Sequence, residues 1–311
     1  MLILFYQRIR KTRFSFYDQL RMDELDRLLP RDIEITYDRA KMPVADAVVF
    51  NLPFLHRDLE GDLEKPDGQV WVAWSYESEA NYPWMLSDGL KEVFDLWMTY
   101  HLDADIVLPY YDYTFREKLL TPPCGKDGDV CMFVSSPVNH SHRLEYLSEL
   151  TRFLPIDSYG RWRRNSFLKE DTGYASKLET IKRYRFTIAF ENATSPDYVT
   201  EKFFEPLVMG SVPIYLGAPN VRTFAPGPRS FIDARAYESP EALAAGIRKY
   251  CRDEAAYAEL LEWKKAPLRP GLSKLIEDQE VHAFHRLARE IERLKNKRDN
   301  NHEEIELSQV L

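Results

Sequence analysis

The stretch Phe186-Thr-Ile-Ala-Phe-Glu-Asn-Ala-Thr-Ser-Pro-Asp-Tyr-Val-Thr-Glu-Lys-Phe-Phe-Glu-Pro-Leu-Val-Met-Gly-Ser-Val-Pro-Ile-Tyr-Leu216 reads as strand, helix and strand in direct succession. Phe186 to Phe190 is an apolar run rich in β-branched and aromatic residues. Ser195 and Asp197 supply loop and cap chemistry, a helix runs from about Val199 to Met209, and Val212 to Leu216 is the second strand. Such a βαβ succession implies a parallel sheet wrapped by helices, with ligands at the carboxyl ends of its strands.

Working outward, Val130 to Ser135 and Ile156 to Tyr159 read as further strands, and His142 to Phe153 as a helix with Leu144, Leu147 and Leu150 on one face. A helix is expected near Tyr174 to Tyr184, and Ser239 opens another with Pro240 at its first position. In the first half, Leu2 to Tyr6, Ile33 to Tyr37, Ala45 to Asn51, Val70 to Tyr76 and Ile106 to Tyr110 are short strand-like runs separated by helix-length charged segments. Between Lys118 and Asp129 the chain collects Pro, Gly and Asp, which interrupt both regular structures. With 311 residues, the expected architecture is two Rossmann-like α/β domains facing each other, residues 1–120 and 126–275, followed by a helix and tail over 276–311.

The formal net charge of −8 argues against general nucleic-acid binding, which needs clustered Lys and Arg. The opening run Met1 to Tyr6 is too short for a signal peptide or a membrane span, and Cys124, Cys131 and Cys251 neither pair off nor show zinc spacing. A cytoplasmic setting is expected. The glycosylation triplets at Asn139 and Asn192 are read as chance matches. In the tail, Val281, Phe284, Leu287, Ala288, Ile291 and Leu294 form one helical stripe beside a basic end. That stripe suits packing on a domain or on a second copy of the chain, with peripheral membrane contact as the alternative.

Tyr198, Glu201 and Lys202 sit at the mouth of the strand-to-helix turn, where helix amides and a lysine converge on anions. Local chemistry alone favours an ordinary surface helix start, since helix starts are common and phosphate sites rare. Glu191-Asn192 with Tyr198-Val-Thr-Glu-Lys202, then Gly210-Ser-Val-Pro-Ile-Tyr-Leu-Gly-Ala-Pro-Asn220 and Ser230-Phe-Ile-Asp233, resembles the donor-binding signature of the α1,3-fucosyltransferases, family 10 of the glycosyltransferases. The likeness extends through Tyr76-Glu-Ser-Glu-Ala-Asn-Tyr82, Met98 to Tyr110, Ser135 to Arg143 and Asp157-Ser-Tyr-Gly160, covering most of residues 70 to 265.

The resemblance implies a GT-B fold and inverting transfer of L-fucose from GDP-fucose to an N-acetylglucosamine-containing glycan. It gives Arg143 and Lys202 the diphosphate, Glu201 and Tyr198 the ribose and fucose region, and Asn192, Ser135 and Tyr110 the rest of the donor site. Glu77, just after the Val70 to Tyr76 run, matches the general base, and Glu79 is its rival. No metal or other cofactor is implied, because two cations at the phosphates would do the ion's electrostatic work. Asp103-Ala-Asp105 and Asp127-Gly-Asp129 are therefore not read as a divalent-ion site. His101, His140 and His142 are not read as acid-base groups. Another GDP-sugar donor, or a binding module without turnover, are the competing functions.

Overall fold

The computed structural model of the protein describes residues 1–7, 32–58, 63–111 and 114–310. Two compact units emerge, each built on a wholly parallel sheet, as the βαβ pattern requires. The first contains β1 (Leu2–Phe5), β2 (Glu34–Thr36), β3 (Ala47–Asn51), β4 (Val70–Ser75), β5 (Leu96–Thr99) and β6 (Ile106–Val107), in the order β2-β1-β3-β4-β5-β6. All six residues of β4 are buried, which explains a nearly continuous apolar run in place of an alternating one. β5 went unread in the sequence because four residues, one of them a partly exposed Trp97, carry too little pattern. β6 ends sooner than expected: Leu108 N makes the last ladder bond, to Thr99 O at 2.6 Å, and Pro109 follows without an amide hydrogen.

The second unit contains β7 (Gly128–Met132), β8 (Asp157–Ser158), β9 (Tyr184–Phe190), β10 (Val212–Leu216) and β11 (Ile232–Asp233), ordered β11-β10-β9-β7-β8. From β7 the chain first moves to one side, to β8, and then crosses to the other, to β9. The β7/β9 boundary is thus the topological switch point, where ligands of such sheets bind. The helices Arg143–Phe153 and Glu201–Met209 follow these two strands. The former buries Leu147 and Leu150 in a core shared with Val130, Phe186, Ile214 and the helix Pro240–Arg252, which Ser239 caps through Ala242 N as expected.

The unit boundaries differ from the expected ones. The second unit begins at Pro109, so the helix Phe115–Leu119 belongs to it and the 118–129 segment lies inside it. Phe115 stacks on Tyr111 and meets Phe204 edge-on at 5.2 Å, and Lys264 Nζ donates to Leu119 O. Those aromatic contacts outweigh the Pro and Gly content that suggested a break there.

The C-terminal helix Ala283–Val310 is no separate segment, because it returns to the first unit. Phe284, Leu287, Ala288 and Ile291 are buried, Phe284 meets the Phe5 ring at 5.4 Å, and Arg298 pairs with Asp95. This part of the apolar stripe is covered by its own unit, so it is not available to a membrane or a second copy. No helix among the described residues is long and apolar enough to cross a membrane.

Candidate functional site

At the switch point of the second unit, charged side chains gather at the carboxyl end of β9. The helix Glu201–Met209 is capped by Thr200, whose hydroxyl accepts from Lys202 N. Lys202 Nζ reaches Thr200 Oγ1 at 2.9 Å, Glu201 Oε1 at 3.0 Å and Glu191 Oε2 at 3.3 Å. Burial would lower the Lys202 ammonium, but the charges of Glu191 and Glu201 more than reverse it and hold the proton firmly. Burial would raise Glu201, yet Lys202 and Lys177 together with hydrogen bonds from Lys202 and Thr200 bring its carboxyl down to about 2. The first turn of this helix therefore carries a fixed, fully ionised pair.

Arg143 opens the helix after β7 and is 2% exposed. Its Nη1 donates to Phe190 O at 3.0 Å, and its Nη2 donates to Ser136 O at 3.2 Å and Val138 O at 3.3 Å. Nε is buried without a hydrogen-bond partner. The guanidinium thus ties the end of β9 to the loop after β7 and senses Glu191, Tyr198 and Glu201, which counter the downward pull of burial. The preceding His142 adopts φ 55°, a left-handed conformation seldom taken by a residue other than glycine, and caps nothing. Asn139 caps instead, accepting from Leu144 N at 2.9 Å and donating to Glu145 at 2.6 Å. Its amide is thereby engaged on both sides.

The other expected donor residues fall around this centre. Asn192 follows Glu191, and its Oδ1 is buried without a partner. Tyr198 and Tyr110 are both buried and meet edge to face at 6.1 Å. Ser135 is exposed on the loop after β7, where its hydroxyl accepts from Arg161 N. Three participants carried no assigned role in the sequence reading. Glu191 is fully buried and accepts from Thr200 N and Thr200 Oγ1, both at 2.8 Å. Thr200 is the hub between Glu191 and Lys202. One turn on, Glu205 pairs with Lys177 at 2.5 Å, and burial pushes its carboxyl up to about 7 against that partner. The available signal for Glu191 was a carboxylate placed directly after five residues of buried strand.

In the first unit, the turn after β4 presents Glu77 and Glu79 in different states. Glu77 is partly exposed; its main chain is fixed by Ser75, whose Oγ accepts from Glu77 N at 3.0 Å, and its Oε2 accepts from Asn81 at 3.3 Å. Glu79 accepts from the Tyr100 hydroxyl and lies 3.2 Å from His101 Nε2. Burial would raise Glu79, but the hydrogen bonds from His101 and Tyr100 outweigh it and bring the carboxyl down to about 2. His101 is occupied by this contact. Among the described residues no three or more His, Cys, Asp or Glu are grouped to hold a metal ion. Asp127 and Asp129 instead face Arg183 and Arg185, and Asp105 accepts from Trp97 N.

Comparison with known proteins gives two family matches: a fucosyltransferase N-terminal family over residues 2–111, and the C-terminal part of glycosyltransferase family 10 (fucosyltransferase) over residues 124–308. An Arabidopsis thaliana fucosyltransferase-like protein is 34% identical over 228 residues, covering 72% of this chain and 43% of that protein. A 4-galactosyl-N-acetylglucosaminide 3-alpha-L-fucosyltransferase of Homo sapiens is 33% identical, and a 3-galactosyl-N-acetylglucosaminide 4-alpha-L-fucosyltransferase of Pan troglodytes is 32% identical. Each of these two alignments covers 77% of this chain and 64% of the relative. The chain thus spans between about two fifths and two thirds of the length of these relatives. A solved α1,3-fucosyltransferase structure superposes with a TM-score of 0.57 at 16% identity, covering 91% of this chain and 89% of that one. At that identity the superposition speaks for the fold, two parallel-sheet units of GT-B type.

Proposed function

The chain belongs to glycosyltransferase family 10, and we propose that it transfers L-fucose from GDP-fucose to a hydroxyl of an N-acetylglucosamine-containing glycan, with inversion at the anomeric carbon. The observation that carries this reading is the placement of Arg143 and Lys202 at the starts of the two helices that follow β7 and β9, the strands flanking the switch point. The relatives' names supply the transferred sugar and the acceptor class, the resemblance of the donor signature supplies GDP as the carrier, and the local chemistry supplies the reason. Departure of a nucleoside diphosphate leaves anionic charge, and preorganised cations at a helix N-terminus stabilise charge where it develops. Lys202 is the accessible cation of the two, with 27% of its side chain exposed, whereas Arg143 is held inside.

Glu77 serves as the general base. It takes the proton of the acceptor hydroxyl as that oxygen attacks the anomeric carbon from the face opposite GDP, so one displacement inverts the configuration. Glu79, held ionised near pKa 2, is a poor proton acceptor and shapes the turn instead. The diphosphate is neutralised by side chains, and the reaction needs no divalent ion. The test is incubation of the chain with GDP-fucose on a glycan array, read by mass spectrometry. A gain of one deoxyhexose on glycans bearing N-acetylglucosamine is expected. Transfer from a different GDP-sugar alone would replace the donor, and no transfer from any would refute the reading.

A further inference from the structure

The carboxylate of Glu191 belongs to none of the roles above, yet it is the most enclosed charge of the donor region, with 0% exposure. Isolated charges are too costly to bury, so such a group persists only with donors on its oxygens. Oε1 accepts from Thr200 N at 2.8 Å, and Oε2 accepts from Thr200 Oγ1 at 2.8 Å with Lys202 Nζ at 3.3 Å. The Thr200 hydroxyl receives donors from both Lys202 N and Lys202 Nζ, so its single proton points at Glu191. These three contacts to the carboxylate are all donors, and only the ionised form satisfies all three. Gly217 leaves the room: a Cβ there would lie 2.6 Å from Glu191 Cγ.

We propose that Glu191 is a positioning residue of the donor site, the permanent counter-ion that holds Lys202 charged and aimed, while Glu201 is the partner that Lys202 exchanges for the diphosphate. The role rests on the donor-binding reading given above. The ammonium has three hydrogens and three partners, so an arriving phosphate oxygen must displace one of them. The Glu201 side chain is 16% exposed and can pass to water or to a ligand hydroxyl when released. Glu191 cannot, since release would leave a bare carboxylate in the protein interior. Burial and, after it, the like charge of Glu201 on the following helix push the Glu191 carboxyl upward, while Lys202 and the two Thr200 donors oppose them; Arg143 lies within electrostatic reach on the helix after β7.

The test uses the full chain, without ligand. Amine acetylation at pH 9, quantified by mass spectrometry, reports the neutral fraction of each lysine, and exposed Lys169 serves as the internal reference. Loss of the counter-ion in Glu191→Gln should raise Lys202 labelling relative to Lys169 at least about tenfold, the equivalent of one pKa unit. Glu191→Asp, which keeps the charge but withdraws it by one methylene, should give an intermediate rise of about threefold on the same scale. This grading separates loss of a counter-ion from loosening of the strand end, and Glu191→Asp carries the test if Glu191→Gln does not fold. Unchanged Lys202 labelling in either folded variant overturns the proposal. GDP added to the parent chain should protect Lys202; absence of protection would refute the donor reading and leave the Glu191 to Lys202 coupling standing on its own result.

Discussion

The phenol of Tyr100 donates to the carboxylate of Glu79, and the same oxygen faces His101. Two residues earlier, Glu77 carries an amide contact from Asn81 and remains partly exposed. The two carboxylates of one turn thus stand in different surroundings, Glu79 between Tyr100 and His101 and Glu77 beside Asn81.

Glu77→Gln should fold and bind GDP as the parent does, yet transfer fucose slower by a factor of about 10² to 10⁴, the usual cost of removing a general base. Glu79→Gln should keep most of the rate. Steady-state transfer assays on both variants decide it, and the reverse ranking would make Glu79 the base.

The Glu79 carboxyl lies below its ordinary value of 4.5, at about 2. The unfolded chain therefore binds a proton more readily than the folded one. The stabilisation from Glu79 is complete above pH 4.5 and is lost as the pH falls toward 2. Thermal melts of the parent and Glu79→Gln should differ most near neutrality and converge on acidification. A gap that widens with acid would contradict the assignment.

Lys202→Ala should weaken GDP binding by about 1.5 to 3 kcal/mol, the range for hydrogen bonds to charged groups, and should lower the melting temperature, because the enclosed Glu191 loses its counter-ion. Arg143→Ala should weaken binding too and should likewise lower the melting temperature, because Phe190 O, Ser136 O and Val138 O lose their donor. Calorimetry with GDP on the folded variants reads the affinity, and thermal melts read the stability. Unchanged affinity in both variants would move the donor site elsewhere.

Gly217→Ala places a Cβ 2.5 Å from the Tyr215 hydroxyl and 2.6 Å from Glu191 Cγ, both of them enclosed. Overpacking of this kind costs about 1 to 3 kcal/mol. A denaturant titration should show that loss, and a neutral result would mean that the strand end yields more easily than its packing indicates.

If Lys202 and Arg143 meet the leaving diphosphate as proposed, transfer should survive EDTA. Complete loss of activity that is restored by a divalent ion would overturn the metal-free mechanism.

The strand and helix succession from Phe186 to Leu216 was legible in the sequence because burial on both faces of a parallel sheet leaves continuous apolar runs, and Ser239 with Pro240 marks a helix start by local rules alone. The family signature likewise points to Arg143, Asn192, Tyr198, Glu201 and Lys202 by residue type and spacing, and their roles in the donor site are those proposed above. Three things needed the tertiary structure. The unit boundary at Pro109 depends on Phe115 meeting Phe204, some ninety residues away in sequence, and no local composition records such a contact. The return of the C-terminal helix to Phe5 is equally nonlocal. Glu191, Thr200 and Lys202 form one network because a strand end and a helix start are brought within hydrogen-bond reach, and that proximity, rather than residue type, makes a buried carboxylate tolerable and a lysine permanently charged.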